Sequence, residues 1–344
     1  KKLLRCTDHL TATAQDVEAE LCFPHINTSC RRTTAPYVET MLTYIVLSCI
    51  TILTVILNLL VIISISHFKQ LHTTTNLLLL SLAVADFLVG LLQMPLLLLH
   101  NQGCWFLGDI MCVVHYFLAA LVISVSLGSM VLISVDRYIA ICNPMFYTTR
   151  VTLTRVTLCV CLCWICSSVQ SIISVLYLRV FVTPDIYNTC YGSCVVVVGF
   201  VEGLVAMIAT FLGPILVISV LYLRVFVVAV SQARAMRSHV AVVTVERSQT
   251  VKAMKSEIKA ARTLGIVIIV FLLCSCPYYC FAAAAETTSL GASSSVIMLW
   301  LVYLNSTFNP VIYVFFYPWV RKTMKHIFTL QILQPGSSET HFFA

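Results

Sequence analysis

The apolar positions of this chain fall in long runs, with neither the alternation of a half-buried strand nor the narrow stripe of a surface helix. Seven runs stand out, at 41–66, 75–99, 111–140, 153–176, 195–227, 263–285 and 294–316. Each is at or above the roughly 20 residues that a membrane-spanning helix needs. The pattern predicts an all-α membrane protein, a bundle of seven transmembrane helices over 41–316. Residues 1–40 read as a polar N-terminal tail, 317–329 as a short amphipathic eighth helix, and 330–344 as a C-terminal tail. In the eighth segment, WVRKTMKHIF alternates apolar and basic residues as an interfacial helix does. Residues 1–36 lack an apolar core, so no cleavable leader is expected and the first span acts as its own insertion signal. The chain begins Lys1-Lys2, which leaves its natural N-terminus open.

Composition agrees with the runs. The 344 residues are 60% hydrophobic and 10% charged, whereas soluble domains carry about 25% charged residues. Of the 21 Lys and Arg, five lie in the N-terminal tail, Arg179 follows span four, and the other fifteen, from Lys69 to Lys325, fall at or near loops one, three and five and the C-terminus. That bias puts this face in the cytoplasm and the N-terminal tail outside. The five basic residues of the tail are matched there by five acids. The net charge of +7 is explained by this bias, so no nucleic-acid partner is expected. An external tail makes Asn27-Thr28-Ser29 a usable glycosylation sequon. Asn305-Ser306-Thr307 has the same form inside a span and is expected to stay unmodified.

Nine of the sixteen cysteines fall in spans or at their cytoplasmic ends, where small packing thiols are expected more than redox or zinc chemistry. Seven face the oxidising side: Cys6, Cys22, Cys30, Cys104, Cys112, Cys190 and Cys194. The number is odd, so at least one stays unpaired or pairs elsewhere.

Polar groups are costly inside a bilayer, and those that persist there need an account. Asp86 lies midway along the second run, with Ser126, Asn305, Ser306 and Asn309 at comparable depth. An all-oxygen set of this kind suits a hard cation such as Na⁺; a self-satisfied hydrogen-bond network is the alternative. At the cytoplasmic end of the third run stands Asp136-Arg137-Tyr138, and Glu257 precedes the sixth. Arg137 and Glu257 could pair across helices as a two-state latch, or as a surface pair worth only about 0–1 kcal/mol. Pro214, Pro277 and Pro310 each fall within a span and kink it.

Asn58, LAVAD with Asp86, Cys112, DRY at 136–138, Trp164, Pro214 with Tyr222, Pro277 and NPVIY at 309–313 together resemble the rhodopsin-like (class A) G-protein-coupled receptors. More narrowly, HTTTNLLLLSLAVADFLVGLLQMP, KAARTLGIVIIVFLLC and NSTFNPVIYVFFYPWV resemble the trace amine-associated receptors. That family's signature at the end of span seven is met by Asn305-Ser306, Asn309-Pro310, Tyr313, Tyr317 and Trp319, with Val320 in place of a Phe. FPHINTSC at 23–30 is similar to fish members.

The resemblance implies a receptor for biogenic amines or polyamines that raises cAMP through a stimulatory G protein (Gs or Golf) and engages arrestin. Its place would be the plasma membrane of olfactory neuron cilia. It implies that Asn305, Ser306 and Asn309 complete a sodium pocket with Asp86 and Ser126. It also implies that Tyr313 swings towards Tyr222 and Arg137 on activation, and that Met145 docks into the G protein. Cys112 is implied to pair with Cys194, and Cys190 with Cys22 or Cys30, with Cys22 favoured. No cysteine follows Cys280, so palmitoylation of the tail is not expected.

Two departures bear on the ligand. The span-three position where amine receptors hold the ammonium with an Asp is Ala119, and the span-five position used by some fish members is Ala206. Glu202 and His115 stand four residues before them, on the same helix faces and about 5.4 Å nearer the outside. Glu202 is therefore expected as a displaced ammonium anchor, with Trp300, Tyr303, Tyr278 and Tyr279 lining an aromatic pocket. A solvated Glu202 at the interface is the alternative, and a non-amine ligand the rival reading. In the family's CWLP motif the Trp is Ser275, and Phe271 one turn below could take part of its role. The sequence shows neither GxxxxGK[ST] nor HExxH, and no enzyme is expected. A small transporter would show inverted repeats or paired broken helices, and neither is seen.

Overall fold

A computed structural model describes residues 21–30, 37–181, 190–194, 200–238, 263, 265–281 and 292–339. Glu257, Glu286 and Cys6 lie outside these residues, as does the side chain of Glu202. The helices are α1 (Tyr37–His67), α2 (Thr74–Leu88), α3 (Met94–His100), α4 (Gly108–Cys142), α5 (Pro144–Arg150) and α6 (Leu153–Phe181). They continue as α7 (Phe200–Met207), α8 (Gly213–Ser238), α9 (Gly265–Phe281), α10 (Ala292–Phe316) and α11 (Pro318–Phe328). Among the described residues six helical stretches are long and apolar enough to cross a bilayer, and α9 is a shorter apolar helix. The architecture is an all-α bundle.

Two spans are joined from two helices by a wide turn. Val89–Gln93 links α2 to α3, and Ile208–Leu212 links α7 to α8. Met94 N–H bonds Val89 O and Gly213 N–H bonds Ile208 O, five residues back in each case. Both turns precede a proline, Pro95 or Pro214, which donates no hydrogen bond and crowds the carbonyl four residues before it. Widening the preceding turn removes that crowding. Pro214 was expected as a kink; Pro95 acts in the same way. The widened turn before Pro95 carries Gln93 into the bundle, where it is 0% exposed.

Helix α4 runs through the middle and packs on α2, α6 and α8. Its Gly128 lets α6 approach closely, because a Cβ there would collide with Cys163 Sγ. Trp164 Nε1 donates to Ser81 Oγ at 3.1 Å, and Ser81 meets Ser129 Oγ at 3.1 Å, tying α2, α4 and α6 together. The largest core cluster joins Val61 and Ile65 of α1, Leu82 of α2, Met130 of α4, Ile218 of α8, Phe271 of α9 and Tyr313 of α10. Trp319, Val320 and Met324 of α11 close it from the end of the bundle nearest the C-terminal helix. Outside the core, Ile165, Leu216, Leu223 and Leu273 stay more than half exposed. Such side chains are a liability in water and an ordinary lipid-facing surface in a bilayer.

The opposite end, where residues 21–30 meet 190–194, carries a cap. Cys112 pairs with Cys194, as the resemblance implied. The expected Cys22–Cys190 bridge is corrected: Cys190 pairs with Cys30, and Cys22 with Cys104. The reason is local backbone pairing. Tyr191 N–H bonds Thr28 O at 2.8 Å and Cys30 N–H bonds Tyr191 O at 3.0 Å, which lays Cys30 beside Cys190. The intervening turn then carries Cys22 back to the outer loop that holds Cys104. Gly192, at φ +95, receives the Phe23 ring where a Cβ would collide with it at 2.7 Å. Asn27 is exposed on this cap, as a glycosylation sequon requires.

Candidate functional site

Three polar layers lie on one line through the bundle. In the middle layer Asp86 and Asn309 are 0% exposed, and Asn309 Nδ2 donates to Asp86 Oδ2 at 2.8 Å. The hydroxyls of Ser126 and Ser306 face the same carboxylate. Asn58 Nδ2 donates to Ser306 O and to Thr54 O, both at 2.9 Å, fixing the α1–α10 contact. Asp86 Oδ1, Asn309 Oδ1, Asn305 Oδ1 and Asn58 Oδ1 are buried without a hydrogen-bond partner among the described residues. Sequence reasoning placed Asp86, Ser126, Asn305, Ser306 and Asn309 together; the structure sets Ser126, Ser306 and Asn309 on the Asp86 carboxylate, while Asn305 is buried on α10 with no hydrogen bond to it among the described residues. The network does not satisfy itself: these four side-chain oxygens are left without a donor among the described residues. That donor set, one carboxylate with neutral oxygens, fits a hard cation and its waters.

The cytoplasmic layer is built around Asp136. Arg137 Nη2 and Nε donate to its Oδ2 at 2.6 and 3.1 Å, with both side chains under 10% exposed. Thr75 Oγ1 donates to the same oxygen at 2.9 Å and itself contacts Arg137 Nη2. The other oxygen accepts from Tyr147 OH at 3.0 Å, and Tyr147 meets Thr74 Oγ1 at 2.9 Å. Burial pushes the Tyr147 phenol above its ordinary value, which keeps it a donor. Thr75 and Tyr147 escaped the sequence reading because nothing local marks a residue that serves a carboxylate 61 or 11 positions away. Beside this knot lies a cavity of about 10 Å³, room for about one water, bounded by Arg137, Thr263, Tyr313 and Tyr317. Tyr313 OH is buried there without a partner among the described residues. Tyr222 lies against α9: a Cβ on Gly265 would collide with its hydroxyl. Met145 is 82% exposed and Phe146 53% exposed, both on α5 at the same face.

The outer layer differs from expectation most. His115, 4% exposed, accepts from Gln93 Nε2 through Nδ1 at 3.2 Å and stacks on His100 at 5.7 Å. Gln93 Nε2 also donates to Tyr303 OH at 3.1 Å. Trp300 and Tyr303 are buried together with Val89, Met94, Leu97 and Val122. Tyr279 stacks on Phe211 at 3.8 Å, and Tyr278 meets Tyr279 edge-on at 5.3 Å. Ala119 is half-buried and Ala206 exposed; Glu202 lies on α7 one turn before Ala206. Ser275, in the place of the family's Trp, is 1% exposed with its hydroxyl unpaired among the described residues, and Phe271 is packed in the core below it. Gln93 was missed although its signal was present: a carboxamide in the apolar run VGLLQMP is as anomalous as an acid there.

The chain matches the family model "7 transmembrane receptor (rhodopsin family)" over residues 57–313. It is 35% identical to trace amine-associated receptor 13c of Danio rerio, covering 94% of this chain and 96% of that one. It is 36% identical to trace amine-associated receptor 1 of Mus musculus over 87% and 92% of the two chains. With trace amine-associated receptor 7b of Rattus norvegicus the identity is 37% over 94% and 92%.

Proposed function

Since the chain belongs to the rhodopsin-type seven-transmembrane receptors, and among them to the trace amine-associated receptors, we propose that this multi-pass G-protein-coupled receptor senses biogenic amines or polyamines from outside the cell. It signals through a stimulatory G protein (Gs or Golf) and raises cAMP, with arrestin as its later partner. Its setting is the plasma membrane of olfactory cilia, with the N-terminus outside and α11 on the lipid surface. The observation that supports this reading is the buried Asp136–Arg137 pair beneath the unpaired Tyr313 hydroxyl.

At rest, Arg137 is held by Asp136, with Thr75 and Tyr147 as the further donors to the carboxylate. Glu257, outside the described residues, is assigned as the second acid of the latch. Ligand binding between α4, α7, α9 and α10 favours the arrangement in which Arg137 is released, and the ligand's differential affinity sets the shift. Tyr313 and Tyr222 then move towards Arg137, and a G-protein helix enters beside Met145. A sodium ion on Asp86, Ser126, Asn305, Ser306 and Asn309 would supply the positive charge that the unpaired acceptors lack. Glu202 is assigned as the ammonium anchor, replacing the aspartates absent at Ala119 and Ala206.

The test is cellular cAMP against a panel of mono-, di- and polyamines, with Glu202→Gln alongside and surface expression measured for both. A wild-type response at least tenfold weaker in the mutant is expected; equal potency removes Glu202 as the anchor. Silence of the wild type towards the whole panel, with basal cAMP present, overturns amine sensing. Exchanging sodium for choline in the same medium should raise basal cAMP, and no change overturns the cation.

A further inference from the structure

The carboxamide of Gln93 is half used. Both N–H bonds are spent, on His115 Nδ1 and Tyr303 OH, while Oε1 has no partner among the described residues and the residue is 0% exposed. Turning the amide over exchanges the roles and leaves the NH₂ unpaired instead, so one end is open in either orientation. In the same buried cluster Trp300 Nε1–H is unpaired as well. Trp300 and Tyr303 are three residues apart on α10 and therefore on one face, and Tyr303 is the residue that Gln93 bonds. An unpaired polar atom at this depth costs about 1–3 kcal/mol, and two of them in one cluster need a common account.

With the amide as placed, a single group that meets both atoms must donate and accept; with the amide turned over it must accept from both, and a hydroxyl serves in either case. An ammonium only donates: it could meet Gln93 Oε1 but would leave the N–H of Trp300 unpaired. Among the described residues no Asp or Glu is hydrogen-bonded to Gln93, whose side-chain partners are His115 and Tyr303. An ether or carbonyl only accepts. A hydroxyl does both and carries no charge.

We infer that Gln93 and Trp300 form a hydroxyl-recognising subsite between α3, α4 and α10, so that the ligand of this receptor is an amine that also bears a hydroxyl group. In the absence of ligand a single water can serve both atoms, and the ligand hydroxyl takes its place. Gln93 and Trp300 are thus specificity-determining residues: they choose among amines rather than holding the ammonium. The widened turn before Pro95 is what makes the subsite possible, since it carries Gln93 into the bundle. This inference rests on the amine-receptor reading above.

The test compares matched ligands that differ by one hydroxyl, tyramine against 2-phenylethylamine and ethanolamine against ethylamine, by cAMP dose–response in cells expressing the full receptor. A site built to bond a hydroxyl discriminates strongly against its absence, so a preference of about tenfold or more is expected for at least one hydroxylated member. Gln93→Leu should reduce that preference to about twofold or less. Trp300→Phe, which removes the N–H and keeps the ring's place, should reduce it several-fold and keeps the test open if Gln93→Leu fails to reach the surface. A wild type that responds equally to both members of each pair overturns the subsite and leaves amine sensing standing. A preference that survives both substitutions does the same. No response to any of the four amines, with basal cAMP intact, overturns the amine reading and this inference with it.

Discussion

The two ends of the bundle use buried polar groups in opposite ways. At the cytoplasmic end both oxygens of Asp136 are occupied, by Arg137, Thr75 and Tyr147. At the outer end Gln93 and Trp300 each leave an atom unpaired. A satisfied network in low dielectric holds one arrangement firmly, and an unsatisfied one is incomplete until something arrives. The inner end is built as a lock and the outer end as a receiver. The Asp86 layer between them, with its unpaired oxygens, has the unfinished character of the outer end and the burial of the inner one.

The largest effect is expected from breaking the lock. Asp136→Asn keeps the shape and removes the charge, leaving Arg137 buried without its counter-ion. Removing one partner of a buried pair costs roughly 3–5 kcal/mol, here borne by the resting arrangement alone. Basal cAMP per surface receptor should rise severalfold, and purified receptor should melt at lower temperature. Basal cAMP equal to wild type at equal surface expression would mean that Asp136 does not hold the resting state.

A smaller effect is expected where the lock meets α9. Tyr222 rests in space that exists only because residue 265 is glycine. Gly265→Ala overfills that space, at a cost of about 1–3 kcal/mol, and should drive Tyr222 towards Arg137. Basal cAMP should rise by less than with Asp136→Asn. Adding Tyr222→Ala removes the ring, whose hydroxyl and Cζ both meet the new methyl, and should reverse much of the rise. If the double variant is as active as Gly265→Ala alone, the collision is not the cause.

The membrane spans were legible because a bilayer demands a length of apolar residues and the chain supplies it without interruption. Asp86 and Asn309 were legible for the converse reason, as polar residues where polarity is expensive. Gln93, an amide buried at 0% exposure, raises the same question as Asp86, but it belongs to no recurring motif in the chain. The cysteine pairing was not legible in the residues: seven outward cysteines permit many connectivities, and Cys30 reaches Cys190 through a backbone bridge between Ser29 and Tyr191 that no spacing announces. The roles of Thr75 and Tyr147 are of the same kind, since each is an ordinary residue until the fold brings Asp136 to it.

The smallest effect should come from the other salt bridge seen among the described residues. Lys69 Nζ meets Glu339 Oε1 at 3.2 Å, and the two side chains are 68% and 72% exposed, against 7% and 4% for Arg137 and Asp136. Water screens an exposed pair and side-chain entropy opposes it, so its worth is roughly 0–1 kcal/mol. A second contact holds the same tail segment, His67 Nε2 to Ser337 Oγ at 2.9 Å, so the pair is not needed to keep the tail in place. Lys69→Ala should therefore leave melting temperature and basal cAMP within error of wild type. A loss comparable to that of Asp136→Asn would show that the tail, and not only Asp136, restrains the resting receptor. The contrast between lock and surface would then have to be redrawn to include residues 331–339.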